Sequence, residues 1–120
     1  MANIQKFMPP DGRLLLATDA AHLRGCVCMC TIRPGLAEVK RMYVRPNQRH
    51  QGTGRALVQT LIADLHNAGY TTIRLDSGRF MTAAHALYRS LGFQEIEPYA
   101  ESEIPEAFHK YCIFMELSLG

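Results

Sequence analysis

Between positions 45 and 55 the chain gathers Arg45, Arg49, His50 and Arg55 around two glycines, Gly52 and Gly54. Cationic side chains clustered at bare backbone suit a ligand rich in anionic oxygen. The residues that follow are apolar at helical spacing, so the glycines stand where a helix begins. A helix start leaves its first N–H groups unpaired and carries about half a positive charge. Glycine, having no Cβ, lets phosphate oxygens approach those amides closely. Together these features describe a pyrophosphate cradle. The bland alternative is a flexible strand–helix turn with a solvated basic face, and glycine spacing alone does not separate the two. The turn is no Walker loop, because no Gly-Lys-Ser/Thr follows. It is no dinucleotide fingerprint either, because Leu57 stands where the third glycine would be.

The elements that must position this turn can be read on either side of it. Pro9, Pro10 and Gly12 mark an N-terminal arm, followed by a short buried strand "RLLLAT" (13–18). A second strand, "GCVCMCTI" (25–32), turns at Pro34-Gly35 into a third, "LAEVKRMYV" (36–44). Leu57, Val58, Leu61, Ile62 and Leu65 then mark one face of a helix of about four turns, ended by Gly69. "TTIRLDS" (71–77) reads as a strand with Ile73 and Leu75 on one face. Ala84, Leu87, Tyr88 and Leu91 mark a second helix stopped by Gly92, and "YCIFMELSL" (111–119) is a final strand. This order implies an α/β fold with a mixed sheet flanked by helices. The segment 36–77 forms a βαβ unit, whose ligand site belongs where its first strand hands over to its helix.

Composition narrows the function. At 120 residues and 48% hydrophobic, the chain is sized for a single domain, 1–120, with one core. Its net charge of +2 is too mild for bulk nucleic-acid binding, so any positive site is local. No apolar stretch approaches the roughly 18 residues of a membrane span, and the N-terminus has no secretory pattern. The protein therefore reads as cytoplasmic, with neither membrane nor nucleic acid as a partner. Cys26, Cys28 and Cys30 alternate along one strand. Same-face neighbours about 6.6 Å apart lie beyond easy disulfide reach and do not close a zinc tetrahedron, so they read as reduced core thiols, with no metal expected.

The run Arg49-His50-Gln51-Gly52-Thr53-Gly54 resembles the R-x-x-G-x-G/A signature of the GNAT N-acetyltransferase superfamily. "AEVKRMYVRP" (37–46) is similar to that superfamily's fourth strand, and "AHALYRSLGF" (84–93) to its A-x-x-L-Y-x-x-x-G-F helix and turn. The three motifs occur in the superfamily's order, within a resemblance that spans roughly residues 13–119. It implies an acyl-CoA N-acyltransferase fold of mostly antiparallel strands, splayed apart at the fourth and fifth. The pantetheine of acetyl-CoA would lie in that gap, bonded by the backbone of Met42, Tyr43 and Val44. The amides of Gln51, Gly52, Thr53, Gly54 and Arg55, with Arg49 and His50 beside them, would hold the pyrophosphate.

The implied reaction is direct attack of a primary amine on the thioester. It needs a neutral amine, a stabilised oxyanion and a proton for the leaving thiolate. By the resemblance, Glu38 corresponds to the general base of some relatives, and Tyr88 to the tyrosine that protonates the CoA sulfur. The Val44 amide is the expected oxyanion donor. Glu38 reads equally as a solvent-facing strand carboxylate paired with Lys40 or Arg41, and Tyr88 as a packed helix aromatic. The chain departs from the pattern at Met81, where many relatives carry a cofactor-contacting Asn. It departs again before "RLLLA", where the superfamily usually has a strand and two helices. That shortening leads us to expect a homodimer whose partner covers the exposed sheet; the alternatives are a piece of a longer chain or an acceptor site open enough to admit a peptide terminus. The expected acceptor is a small-molecule, amino acid-like or peptide amine. Glu95, Glu97, Glu101, Glu103 and Glu106 in the 94–110 loop favour a cationic one, or form a solvated acidic loop. A CoA-binding module or partner subunit without catalysis is the alternative.

Overall fold

The computed structural model describes residues 3–20, 22–48 and 52–120. Seven strands form one sheet: β1 (Asn3–Phe7), β2 (Gly12–Asp19), β3 (His22–Arg33), β4 (Leu36–Val44), β5 (Thr72–Gly78), β6 (Gln94–Ile96) and β7 (Cys112–Ser118). Their spatial order is β1-β2-β3-β4-β5-β7-β6. Only β4 and β5 pair in parallel, because helix α1 (Thr53–Asn67) carries the chain back between them. Helix α2 (Thr82–Ser90) follows β5.

Alternation sorts each strand into two faces. Leu15, Ala17, Val27, Met29, Ala37, Val39, Ile73, Leu75 and Met115 point to the helix side and are buried against Leu57, Val58, Leu61 and Leu65 of α1. The helical spacing in the sequence thus marks the face that α1 buries. Tyr88 of α2 and Phe93 join the same core, with ring centroids 5.4 Å apart.

Two expectations need correction. The N-terminal arm is not irregular: Asn3–Phe7 pairs with Phe7 opposite Leu14 and Asn3 opposite Thr18, adding an edge strand. The link between β1 and β2 is a short turn over residues 8–11. The thiols of Cys26, Cys28 and Cys30 are unpaired, as expected, but they are half-buried and lie outside the core. Val27 and Met29 take the inward positions, so the cysteines between them face away from α1.

The sheet opens in one place. β4 pairs with β5 only from Leu36 opposite Thr72 to Val39 opposite Leu75. On its other side, β4 slips register between Val39 and Arg41 against Met29 and Cys28, leaving Lys40 as a bulge residue. A bulge bends and twists its strand. Beyond it β4 runs with β3 alone, while β5 stays with β7 to Gly78.

Candidate active site

The parted strands bound a cleft of about 300 Å³. Val39, Lys40, Arg41 and Met42 line it from β4, and Leu75, Asp76, Ser77 and Gly78 from β5. Met81, Ala84 and Tyr88 close the helix side, while Ile104 and Cys112 close the other. Because Leu75 and Ser77 point to one face of β5 and Asp76 to the opposite one, the cleft is flanked by both faces of the sheet.

At the helix-side end, β4 passes through a 3-10 turn (Pro46–Gln48) towards α1. Gly52 is the N-cap in the left-handed region, at φ 79°, and no side chain caps the helix. First-turn amides are thereby left for a ligand. A Cβ on Gly52 would meet nothing within 4 Å. At Gly54 a Cβ would stand 3.3 Å from Leu87, 3.5 Å from Val44 and 3.8 Å from the Met42 sulfur. Gly54 therefore lets α1 pack closely on β4 and α2, which differs from the open approach expected of it. Thr53 is buried. The Arg55 guanidinium donates to the Ser90 hydroxyl at 2.7 Å, which ties it to the end of α2. Arg45 donates to the Leu23 carbonyl at 3.3 Å. Arg49, His50 and Gln51, expected beside the phosphates, lie outside the described residues.

Of the β4 residues expected along pantetheine, Met42 packs partly against the core, Val44 is half-buried and the Tyr43 side chain is exposed. Tyr88 lines the cleft at 5% exposure, and burial pushes its phenol up to about 12. It stays protonated throughout the physiological range. Beside it, buried His85 of α2 shares a 3.0 Å hydrogen bond between Nε2 and the Ser77 hydroxyl. Burial, helped by Arg89, lowers the His85 pKa and keeps that ring neutral at pH 7. Met81, in place of the polar residue of the pattern, lies in the same wall, its sulfur 3.7 Å from the Ser77 hydroxyl.

Glu38 is placed differently from Tyr88. Only 2% of it is exposed, and it does not line the cleft. The Tyr99 hydroxyl donates to its Oε2 at 2.7 Å and the Lys40 ammonium to its Oε1 at 2.9 Å. Lys40 was one of the two partners expected of this carboxylate, but the expected solvent-facing position is wrong, because the Tyr99 segment covers it. Lys40 also pairs with Glu103 at 3.2 Å. Burial works against the ammonium, but its bonds to Glu38 and Glu103 outweigh that and raise its pKa. Burial and the bond to Glu38 together push the Tyr99 phenol far up, so it remains a donor. Arg74 stacks over the Tyr99 ring at 5.2 Å. Tyr99 and Glu103 come from the segment between β6 and β7, which straps the far face.

Asp76 was missed altogether. It lines the cleft on that far face, half-buried, and its Oδ2 accepts from the Ser102 hydroxyl at 2.9 Å. Burial raises its carboxyl pKa, with Glu38 and Glu103 adding to the rise, against the Ser102 bond and Lys40. Its signal in the sequence was a carboxylate within a strand otherwise suited to burial.

A cleft between parted strands, with an uncapped glycine-headed helix at one end and a buried tyrosine in its wall, agrees with a match of residues 10–95 to the acetyltransferase (GNAT) domain family. The chain belongs to the GNAT family. An uncharacterized N-acetyltransferase of Schizosaccharomyces pombe is 36% identical over 119 residues, covering 98% of this chain and 70% of that protein. Among solved structures, a Klebsiella pneumoniae protein described as an acyl-CoA N-acyltransferase superposes at a TM-score of 0.87 and 24% identity, covering 100% of this chain and 99% of that one. A Bacillus subtilis acetyltransferase solved with CoA gives a TM-score of 0.79 at 17% identity, covering 98% and 99%. The enzyme class, GNAT-type N-acetyltransferase, follows from the family. Among the described residues no helix is long and apolar enough to cross a membrane, and no cluster of His, Cys, Asp and Glu could hold a metal.

Proposed function

We propose that the chain transfers the acetyl group of acetyl-CoA to a primary amine of a small molecule, an amino acid-like compound or a peptide, by direct attack. One observation carries this reading: β4 leaves β5 beside Tyr88, and the same strand leads to an uncapped helix start headed by Gly52. The length of β4 that has parted from β5, with Met42, Tyr43 and Val44, takes the pantetheine as an added strand would. First-turn amides from Gly52 to Arg55, with Arg49, His50 and Gln51 beside them, take the pyrophosphate. The Val44 amide steadies the developing oxyanion. Tyr88, protonated in its buried wall, gives its proton to the sulfur as the C–S bond breaks. Glu38, the base suggested by the resemblance, reaches the reacting centre only through its donors Lys40 and Tyr99.

The reading sets the enzyme in the cytosol, where four unpaired cysteines stay reduced. A second copy of the chain would cover the far sheet face that Cys26, Cys28 and Tyr43 share, and sedimentation would register it as a homodimer. The assignment of the acyl donor is checked by melting. CoA should stabilise the fold by about 2.7 kcal/mol at 100 times its dissociation constant. An unchanged melting temperature at millimolar CoA removes it.

A further inference from the structure

A hydroxyl and an imidazole on the helix side of the cleft have no part in acetyl transfer by direct attack. Ser77 of β5 lines the cleft, and buried His85 of α2 stands behind it, with Nε2 3.0 Å from the Ser77 hydroxyl. Leu75, Met81 and Ala84 around them are apolar, so the pair is set in a wall with little else to hold water. The Met81 sulfur is the other neighbour of the hydroxyl, but at 3.7 Å it is the weaker acceptor. Tyr88 lies three positions beyond His85 on α2 and meets the same cleft. Hydroxyl, imidazole and phenol are thus ranged along one side of the gap, and β4 bounds the other. An exposed nucleophile backed by a sheltered base is the arrangement of covalent catalysis.

We propose that Ser77 and His85 give the site a second activity, the hydrolysis of acetyl-CoA through an acetyl-serine when no amine occupies the cleft. It rests on the acetyl-CoA reading above and adds water as an acceptor. Nε2 of His85 takes the hydroxyl proton while the Ser77 oxygen bonds the acyl carbon. A β4 amide holds the carbonyl oxygen as it turns negative. The carbonyl then re-forms, the C–S bond breaks, and the sulfur leaves with the Tyr88 proton. The proton on His85 returns through water to the Tyr88 oxygen, leaving the ring neutral again. In the second half, water gives a proton to His85 and attacks the ester. The bond from the acyl carbon to the Ser77 oxygen breaks, and that oxygen takes the proton back from His85. Acetyl-CoA and water become CoA, acetate and one proton, and the protein is restored.

The surroundings of the pair suit both states of the ring. Burial and Arg89 keep His85 neutral, hence able to accept the hydroxyl proton. The hydrogen bond with the Gly78 backbone and the charge of Glu95 favour the imidazolium when it forms. A neutral ring whose N–H is given to the Gly78 carbonyl has its other nitrogen open to Ser77, which fixes the direction of the proton. Cys112 also lines the cleft and is the rival nucleophile. Burial and Asp76 raise its pKa, however, so it remains the less reactive thiol.

The test uses the full chain with acetyl-CoA in an amine-free buffer and reads thiol release. The parent should outpace hydrolysis in solution, and Ser77→Ala and His85→Asn should each lose at least about 100-fold of that excess while CoA still raises their melting temperatures. Acid quench of the parent during turnover, followed by peptide mapping, should find acetyl on Ser77. Mapping needs no variant, so the covalent step is tested even where a change at buried His85 unfolds the chain. If CoA fails to stabilise the parent, the acetyl-transfer reading falls and takes this inference with it. If CoA binds but the parent releases thiol no faster than solution, or Ser77→Ala releases it as fast as the parent, the second activity alone is overturned. Hydrolysis that depends on Ser77 without acetyl on Ser77 would make the hydroxyl a positioner of water and overturn the acetyl-serine.

Discussion

The two ends of the cleft are built from different materials. At the proposed cradle end the groups assigned to CoA are backbone: the edge of β4 beyond Val39 and the amides that open α1 behind Gly52. At the strap end they are side chains drawn together from distant sequence. Tyr99 reaches Glu38 across 61 positions, and Ser102 reaches Asp76 across 26. A backbone site needs only the right bend and the right absence of side chains, so it leaves a short local pattern. A side-chain site needs packing between elements, and no local pattern records it.

The sharpest break of this comparison is Tyr88→Phe, because Tyr88 stands between the two ends. The ring's packing on Phe93 survives while the proton is lost. Turnover should fall by about 10²–10⁴, with CoA affinity nearly unchanged. Single-turnover kinetics beside a CoA titration checks both halves, and a variant as fast as the parent with a chemistry-limited acceptor returns Tyr88 to core packing.

Next in size is the strap end itself. Tyr99→Phe leaves the Glu38 Oε2 buried without its donor, which should cost about 1–3 kcal/mol, measurable by urea unfolding at pH 7. The pH dependence sharpens the point. Folded Tyr88 and Tyr99 both titrate above the ordinary phenol, so the unfolded chain loses those protons first. Their stabilisation is present below about pH 10 and lost as pH climbs through the folded values, at about 1.4 kcal/mol per pH unit for each proton. Melting above pH 10 should fall steeply in the parent and less steeply in either Phe variant.

The same contrast explains what the sequence revealed. The strand 36–44 is read to the residue, and α1, β5 and α2 to within a position or two, because burial on one face imposes a period. β1 was missed because four of its five residues are exposed, leaving no alternation to see. β6 was missed because it is only Gln94–Ile96. Tyr88 and the glycines stood out by their motifs. Tyr99 follows Pro98 in a segment without periodicity, and only the folded strap brings it over Glu38. The expectation of core thiols failed for a related reason: alternation says that Cys26, Cys28 and Cys30 share a face, not which face the helices cover.

The smallest effects separate the two glycines that the sequence treated alike. A bare-cradle argument has any Cβ at Gly52 or Gly54 intrude on the phosphates, so alanine at either should harm CoA binding equally. The structure distinguishes them. Gly52 holds φ 79°, so Gly52→Ala forces an L-residue into the left-handed region at a cost of about 1–2 kcal/mol, although nothing crowds the new methyl. Gly54 lies inside α1 with ordinary helical backbone, and its nearest neighbour is the end of the Leu87 side chain, which can yield a few tenths of an ångström. Helix propensity favours alanine there by about 1 kcal/mol, enough to offset that shift. Gly54→Ala should therefore melt within a degree or two of the parent, whereas Gly52→Ala melts lower and loses CoA affinity as the helix start distorts. Equal loss of CoA affinity in the two variants, with stability unchanged, would mean that the phosphates pass over Gly54 and that its close contact with Leu87 and Val44 is incidental to the cradle.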